Sequence, residues 1–392
     1  MLVFISDLHL RPGAPSPVSR AAQIRRLWER LEGGRPGTPV RLCLVGDIFD
    51  LVRAPAWLGS DVRPYDEPSP ELAARVEAIV QSTLEADQAF FDAVRKKVDE
   101  GALEVHYLLG NHDRLLQHAP AARSAVRSAL GMKGGDAPFP ASLVFPEHGV
   151  LAYHGHTVDL LCHEPDGSAP LGDVIASELI IRFPAEIRRR MDLADPWLDD
   201  IDDVRPILAV PGWVRSAARG EPKNVSAVVS RVWRDLVDEF LWNPWVRTWM
   251  KDHHRTLKLD FPQRVKLLLA ASARAKPRDD PRLTQLYYLL MKIVDARFAR
   301  SAVKALEQRE HRGLRFVVNG HTHFAAMTPL GLVNGRAACY FNTGTWRQLR
   351  QLGNVARGRP AFLAYDAAAY LVLYDKGDPL ERTFEWWQGA GG

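Results

Sequence analysis

The sequence predicts an α/β fold interrupted by a large helical insertion, and three observations carry that prediction. Short apolar runs alternate with helical periodicity up to about residue 164, a βαβ rhythm that argues a mostly parallel sheet. Five of those apolar runs empty into polar loops rich in Asp, His and Asn, as strands do beneath a site at their carboxyl ends. From Pro165 to about Arg312, strands are hard to find and proline-broken helical periodicity dominates.

In chain order, Leu2 to Ile5 reads as a buried strand followed by Asp7 and His9, two ligand-type side chains that share a side if the backbone stays extended. Ala21 to Leu31 reads as a helix and Gly33 to Pro39 as a loop; Arg41 to Val45 is the next strand, ending at Gly46, Asp47 and Asp50. Glu71 to Glu100 carries Leu72, Val76, Ile79, Val80 and Leu84 at helical spacing, which predicts one crossover helix. The third strand, Leu103 to Leu109, delivers Gly110-Asn111-His112-Asp113, and Ala119 to Leu130 is a short helix. Gly149 to Tyr153 ends in His154-Gly155-His156, with Asp159 and His163 just beyond; the strand-end position and the following glycine favour His154 over His163. After the insertion, Leu314 to Val318 ends in Gly320-His321-Thr322-His323. Ala361 to Asp366 and Ala369 to Asp375 read as an antiparallel pair, and Gly389 to Gly392 as a frayed tail. The expected domains are 1–164 with 313–392, and 165–312 as a cap.

Composition excludes several classes. With 46% hydrophobic residues and 25% charged, disorder is not the default for these 392 residues, and a net charge of +4 is too small to argue by itself for nucleic acid or an anionic membrane. Cys43, Cys162 and Cys339 form no CxxC pair, which argues against a disulfide framework or a thiolate zinc site and for a reducing compartment. The N-terminus lacks a basic region before its apolar run, and no run approaches the roughly 20 apolar residues that span a bilayer. A cytoplasmic location follows as the expectation, with peripheral membrane contact open.

Asp7, His9, Asp47, Asn111, His154, His321 and His323 mix carboxylate, amide oxygen and imidazole, and seven such groups exceed what one catalytic zinc requires. Two divalent ions fit, with Mn the working expectation and Fe or Zn the alternatives, since ligand type does not rank the three. Asp47 is the candidate bridge. Two ions roughly 3.5 to 4 Å apart can hold a deprotonated water for attack on phosphorus, so phosphoester hydrolysis is the natural use. His112 would protonate the leaving oxygen or stabilise its charge, with Asp113 orienting its ring. Asp50, His156 and Arg114 are candidates for supporting or substrate-facing roles. A non-catalytic scaffold that kept the ligands is the alternative of a different class.

These five motifs resemble those of the calcineurin-like metallophosphoesterase superfamily, over residues 1 to about 164 and about 313 to 376. The resemblance implies two mixed β-sheets packed face to face and flanked by helices, with Asp7, His9, Asp47 and His323 on one ion and Asp47, Asn111, His154 and His321 on the other. It also implies that His112 is the catalytic histidine. Phe4-Ile5-Ser6-Asp7-Leu8-His9-Leu10, His154-Gly155 and Gly320-His321-Thr322-His323 are similar to the UDP-2,3-diacylglucosamine pyrophosphatases, whose best-known form has arginine at the position of His112 and aspartate at that of His156. Gly46-Asp47-Ile48-Phe49-Asp50 and Gly110-Asn111-His112-Asp113 also resemble the double-strand-break-repair nucleases. The expected substrate is therefore a phosphorylated small molecule or lipid, with nucleic acid second.

The insertion holds Trp197, Trp213, Trp233, Trp242, Trp245 and Trp249, six of the eleven tryptophans, beside Arg182, Arg188, Arg189 and Arg190. The plain reading packs the indoles into a cap core and leaves the arginines as a solvated face. The sharper one lines an acyl-chain groove with indoles and sets arginines on a diphosphate. A helix from Asp280, with Leu283, Leu286, Leu290, Ile293, Val294 and Phe298 on one face, is expected near its end. His253 and His254 read as exposed.

Overall fold

The structure is a computed structural model and describes residues 1–13, 24–25, 27–29, 38–191, 196–205, 209–220, 222–253, 261–274, 297–353 and 361–391. In chain order its strands are Leu2–Ile5 (β1), Val40–Val45 (β2), Leu103–Leu108 (β3), Ser142–Phe145 (β4), Val150–Tyr153 (β5), Val204–Arg205 (β6), Phe316–Asn319 (β7), Ala326–Val333 (β8), Arg336–Asn342 (β9), Gln348–Gly353 (β10), Ala361–Leu373 (β11) and Phe384–Gly391 (β12). The chain divides into two compact units, Met1–Ser168 with Asp295–Arg347 and Asp366–Gly392, and Ala169–Val294 with Gln348–Tyr365. This division differs from the 165–312 boundary drawn on the sequence. Phe298 packs its ring 6.1 Å from that of His321, and so lies in the first unit. β10 pairs in parallel with β6, and so lies in the second.

The first unit is built on two mixed sheets. In one, β1, β2 and β3 run parallel, as the βαβ rhythm predicts, and β11 closes on β1 antiparallel with Leu2 opposite Leu373. In the other the order is β4-β5-β7-β9-β8, with β5, β7 and β9 parallel and the two outer strands antiparallel. Alternate side chains of the two sheets meet face to face: Leu2, Phe4, Cys43, Val45, Leu108, Leu371 and Leu373 from one, Phe145, Val150, Ala152, Phe316, Val318 and Phe341 from the other. Removing that apolar surface from water is the main force joining the sheets. Because the inner strands run parallel, their carboxyl ends deliver their loops to one edge.

The expected single crossover helix is two, Pro70–Ala86 and Gln88–Asp99. Ser69 caps the first by accepting from Leu72 N–H at 3.1 Å, and Asp87, at φ −108° and ψ 25°, breaks the helical path between them. Two further expectations are corrected. Residues 361–373 form one unbroken strand, not a pair, and besides β1 it pairs antiparallel with β12, with Tyr370 opposite Trp387. Gly389 and Gly391 are therefore ladder residues and not a frayed tail; a side chain on Gly389 would run into the indole of Trp387. The expected helix at 21–31 and the loop at 33–39 fall largely outside the described residues, as does the Asp280 helix apart from Phe298.

The second unit is helical, with Arg182–Met191, Val210–Gly220, Lys223–Trp242, Pro244–Asp252 and Phe261–Arg274 its longer elements. Trp213, Trp233 and Trp249 are buried, and Trp233 donates its indole N–H to Ser272 at 3.0 Å, which favours the plain packing role for these three. Trp242 is 73% exposed, with the Arg247 guanidinium 5.4 Å over its ring. The arginines expected to be available for phosphate are engaged within the unit: Arg182 by Glu178 and Glu239, Arg188 by Asp199, Arg189 by Glu186 and Arg190 by Asp235. Among the described residues, no helix is long and apolar enough to cross a membrane.

Candidate metal centre

Five strand ends bring the expected ligands together. β1 delivers Asp7 and His9, β2 Asp47, β3 Asn111, β5 His154, and β7 His321 and His323. Asp7, His9, Asp47, Asn111, His154 and His323 are almost fully buried, a costly place for charge unless the groups are paired or bind a metal. The backbone is unusual here. Asp7, His9, Asp47, His321 and His323 all have left-handed φ, at 52°, 48°, 53°, 72° and 63°, so the extended backbone expected for Asp7 and His9 is not what aligns them. Such conformations cost free energy and persist only where the surroundings over-determine them, as they do at functional sites. The over-determination is visible: Asp7 N–H donates to Gly46 O at 3.1 Å, His9 N–H to Asp47 O at 2.9 Å, and His321 N–H to Asp7 Oδ2 at 2.9 Å. Gly110 and Gly320 have no room for a Cβ, which would strike the Asp47 and Asp7 carboxylates respectively.

Two groups of donor atoms gather the seven expected ligands, and a ring nitrogen of His112 also lies within 4.8 Å of ligand atoms of His9 and Asp47. In the first, His9 Nε2 and His323 Nε2 stand 3.0 Å apart, with Asp7 Oδ1 at 3.6 Å from one and 3.4 Å from the other. Asp7 Oδ1 is buried and, among the described residues, accepts no hydrogen bond, as a carboxylate oxygen reserved for a cation would. In the second, Asn111 Oδ1 lies 3.2 Å from His154 Nε2 and 3.0 Å from His321 Nδ1, and Asp47 Oδ2 lies 3.1 Å from His154 Nε2. Asp47 Oδ2 is also 3.7 Å from His9 Nε2, so one oxygen faces both groups. His154 directs Nδ1 to Val45 O at 2.8 Å, which makes Nδ1 a protonated nitrogen and turns Nε2 toward the second group. These donor sets fit divalent ions of the Mn, Fe or Zn kind.

The electrostatics agree with a site organised around charge. Burial would raise the Asp47 carboxyl, but His154 and His112 hold it well below the usual carboxylate range. Burial works against the His154 imidazolium, yet Asp47 pushes its pKa up to about 10. An ion that replaces that proton lets the same carboxylate and imidazole face one charge. Chelating the ions should leave carboxylates and imidazoles crowded together, so the melting temperature is expected to drop after chelation and to return on adding Mn. Scanning calorimetry checks this, and an unchanged melting temperature would count against an ion-filled site.

His112 lies beside both groups. Its backbone N–H donates to Asp47 Oδ1 at 2.8 Å, and its ring stands edge-on to that of His9 with centroids 4.8 Å apart. The orienting carboxylate is not Asp113, as expected from adjacency, but Asp50, whose Oδ1 is 2.7 Å from His112 Nδ1. Neighbours in a loop point in different directions, and Asp113 turns inward to accept from Gly110 N–H at 2.5 Å, Ile48 N–H at 3.1 Å and Tyr107 O–H at 2.6 Å. Burial would raise the Asp50 carboxyl, but Arg53 and then His112 hold it well below its ordinary range, with Arg53 Nε at 2.9 Å and Arg347 Nη1 at 3.7 Å.

The remaining candidates stand further out. The His156 ring is 5.5 Å from that of His154 and 6.5 Å from that of His321, and burial, then His154, holds it neutral well below the usual histidine range. His163 lies 5.8 Å from His156 and belongs to neither donor group. Arg114 donates to Pro64 O at 2.9 Å. His253 is exposed and stacks on Trp249 at 4.1 Å, and His254 lies outside the described residues.

One contributor escaped sequence reasoning. β9 ends in Asn342-Thr343-Gly344-Thr345, where Asn342 Nδ2 donates to Gly320 O at 2.6 Å and Thr345 Oγ1 to Asp7 O at 2.7 Å. Thr343 Oγ1 meets Ser6 Oγ at 2.7 Å. The loop thus buckles together the two backbones that carry the first group. Its signal was the same apolar run emptying into polar residues that marks the other five.

Comparison with known proteins agrees with this geometry. A search of curated proteins finds no match to the chain. A family model described as calcineurin-like phosphoesterase matches residues 1–325, from the strand before Asp7 to just past His323. That match spans most of the chain and every strand end that supplies a donor atom, so the chain belongs to the calcineurin-like phosphoesterase family and is a metal-dependent phosphoester hydrolase.

Proposed function

We propose that the two donor groups hold a pair of divalent ions as one dinuclear centre, and that the substrate is an organic diphosphate of the nucleotide-sugar or lipid-linked kind. The observation that carries the dinuclear reading is Asp47 Oδ2, which faces His154 Nε2 at 3.1 Å and His9 Nε2 at 3.7 Å. Asp7, His9, Asp47 and His323 hold one ion, Asp47, Asn111, His154 and His321 the other. When bound, two such ions supply Lewis acidity: they acidify a water, draw charge from phosphoryl oxygens and stabilise charge on the leaving oxygen.

The chain's own groups do the rest. Asp50, kept ionised by Arg53 and His112, accepts a hydrogen bond from His112 Nδ1–H and fixes the ring. Nε2 is then the ring atom that can carry a proton to the leaving oxygen. The same loop's backbone, through His112 N–H on Asp47 Oδ1, ties the proton donor to the shared carboxylate.

The substrate class rests on the Phe4 to Leu10, His154-Gly155 and Gly320 to His323 motifs. The engaged arginines of the second unit do not add to it, so phosphate recognition is assigned to the metal centre and not to Arg182–Arg190. Hydrolysis of a UDP-linked acyl sugar, single-stranded DNA and double-stranded DNA at equal enzyme and Mn tests the assignment. The acyl sugar is expected to turn over fastest, and a strong DNA preference would replace this reading with a nuclease.

A further inference from the structure

The loop after β5 carries, besides His154, a carboxylate with no assigned part. Asp159 Oδ2 lies 3.2 Å from His321 Nε2, and Asp159 Oδ1 accepts from Leu161 N–H at 2.9 Å, a local turn that sets the direction of the carboxylate. A carboxylate oxygen is the acceptor placed against this edge of the ring, which sets the ring hydrogen on His321 Nε2. Nδ1, on the opposite edge of the ring, then carries a lone pair. That atom faces Asn111 Oδ1 at 3.0 Å, inside the second donor group.

We propose that Asp159 is a positioning residue for the second ion: its carboxylate holds the Nε2 proton of His321, and thereby selects the tautomer and ring orientation in which Nδ1 is the ligand. His154 is fixed by a backbone carbonyl, Val45 O, whereas the Nε2 of His321 faces a side chain. Both histidines follow adjacent parallel strands, β5 and β7, so the loop after one strand is within reach of the ligand on the next. A carboxylate behind a metal-bound histidine also raises its basicity, and removing such a partner lowers metal affinity by about 10- to 100-fold.

Cys162 offers a rival use for the same place, because its Sγ, a carboxylate oxygen of Asp159 and a ring nitrogen of His321 lie within 4.8 Å of one another. A thiophilic ion held there would need His321 Nε2 as a ligand, where the hydrogen bond to Asp159 requires a proton. The two uses exclude each other.

The proposal rests on the dinuclear reading, and one titration separates their failures. Full-length wild type, Asp159→Ala, Asp159→Asn and Cys162→Ser are stripped of metal, checked for fold by circular dichroism and titrated calorimetrically with Mn. Wild type and Cys162→Ser are expected to bind two ions. Asp159→Ala should bind one ion with wild-type affinity and the other about 10- to 100-fold more weakly. Asp159→Asn, which keeps a neutral acceptor, should fall between. Fewer than two ions on wild type would sink the dinuclear reading itself. Two ions on wild type with unchanged or equally weakened affinities in folded Asp159→Ala, or a loss of Mn in Cys162→Ser, would overturn the role of Asp159.

Discussion

Replacing Asp47 with alanine is expected to lower kcat/KM for an aryl phosphodiester in the presence of Mn by on the order of 10⁴-fold, equivalent to about 5 kcal/mol of transition-state stabilisation. Asp47 Oδ2 faces both donor groups and Oδ1 receives His112 N–H, so in the proposed dinuclear centre its loss removes the shared ligand and loosens the proposed proton donor together. His321→Ala should approach the same loss, because it strips one ligand from the group that also contains Asn111 and His154. The two losses should not add in the double variant, since both variants disable one unit. Folded Asp47→Ala protein with full activity would remove the enzymatic reading of the site.

His112→Asn should lower kcat by about 10² to 10⁴-fold while leaving the bound metal in place, because the ring sits beside the donor groups and is not needed to complete either. The leaving group distinguishes its role. An aryl leaving oxygen departs well without a proton and should suffer less than an alkyl one, whose departure requires Nε2–H. Equal losses with both would argue that His112 stabilises charge without transferring a proton. Asp113→Asn serves as contrast: Asp113 accepts from Gly110 N–H, Ile48 N–H and Tyr107 O–H, so its loss should cost about 1 to 3 kcal/mol of folding stability. If it instead reproduced the leaving-group dependence of His112→Asn, Asp113 and not Asp50 would be the orienting group.

The donor set was legible because a parallel strand has little choice about where it ends. An apolar run such as Leu103 to Leu108 must be followed by a loop at the sheet's carboxyl edge, and Asn111 or Asp47 in such a loop has no packing reason to be there. What the sequence hid were relations across loops. Asp113 follows His112 directly, and adjacency made it the natural orienter, yet consecutive side chains diverge and Asp50, 62 positions away, makes the contact. The left-handed φ values at Asp7, His9 and Asp47 were invisible for the same reason, since they are imposed by Gly46 O, Asp47 O and other backbone partners from distant segments.

Strand pairing near the C-terminus failed on composition. Asp366-Ala367-Ala368 looks like a break between two strands, and Gly389-Ala390-Gly391 like a loose end. Each is a poor strand former alone, but they are opposite one another in the ladder, where small residues on both strands pair along the backbone. In the second unit, three tryptophans have the core role that aromatic bulk predicts, while the arginines of 182–190 find acids that lie as far as 57 positions away along the chain, a pairing no local pattern announces.

Diffraction from Mn-loaded crystals at the metal absorption edge tests the central claim most directly. Two anomalous peaks are expected, roughly 3.5 to 4 Å apart, one among Asp7, His9 and His323, the other among Asn111, His154 and His321, with Asp47 between them. A single peak at full metal loading, or peaks away from Asp47, would contradict the account.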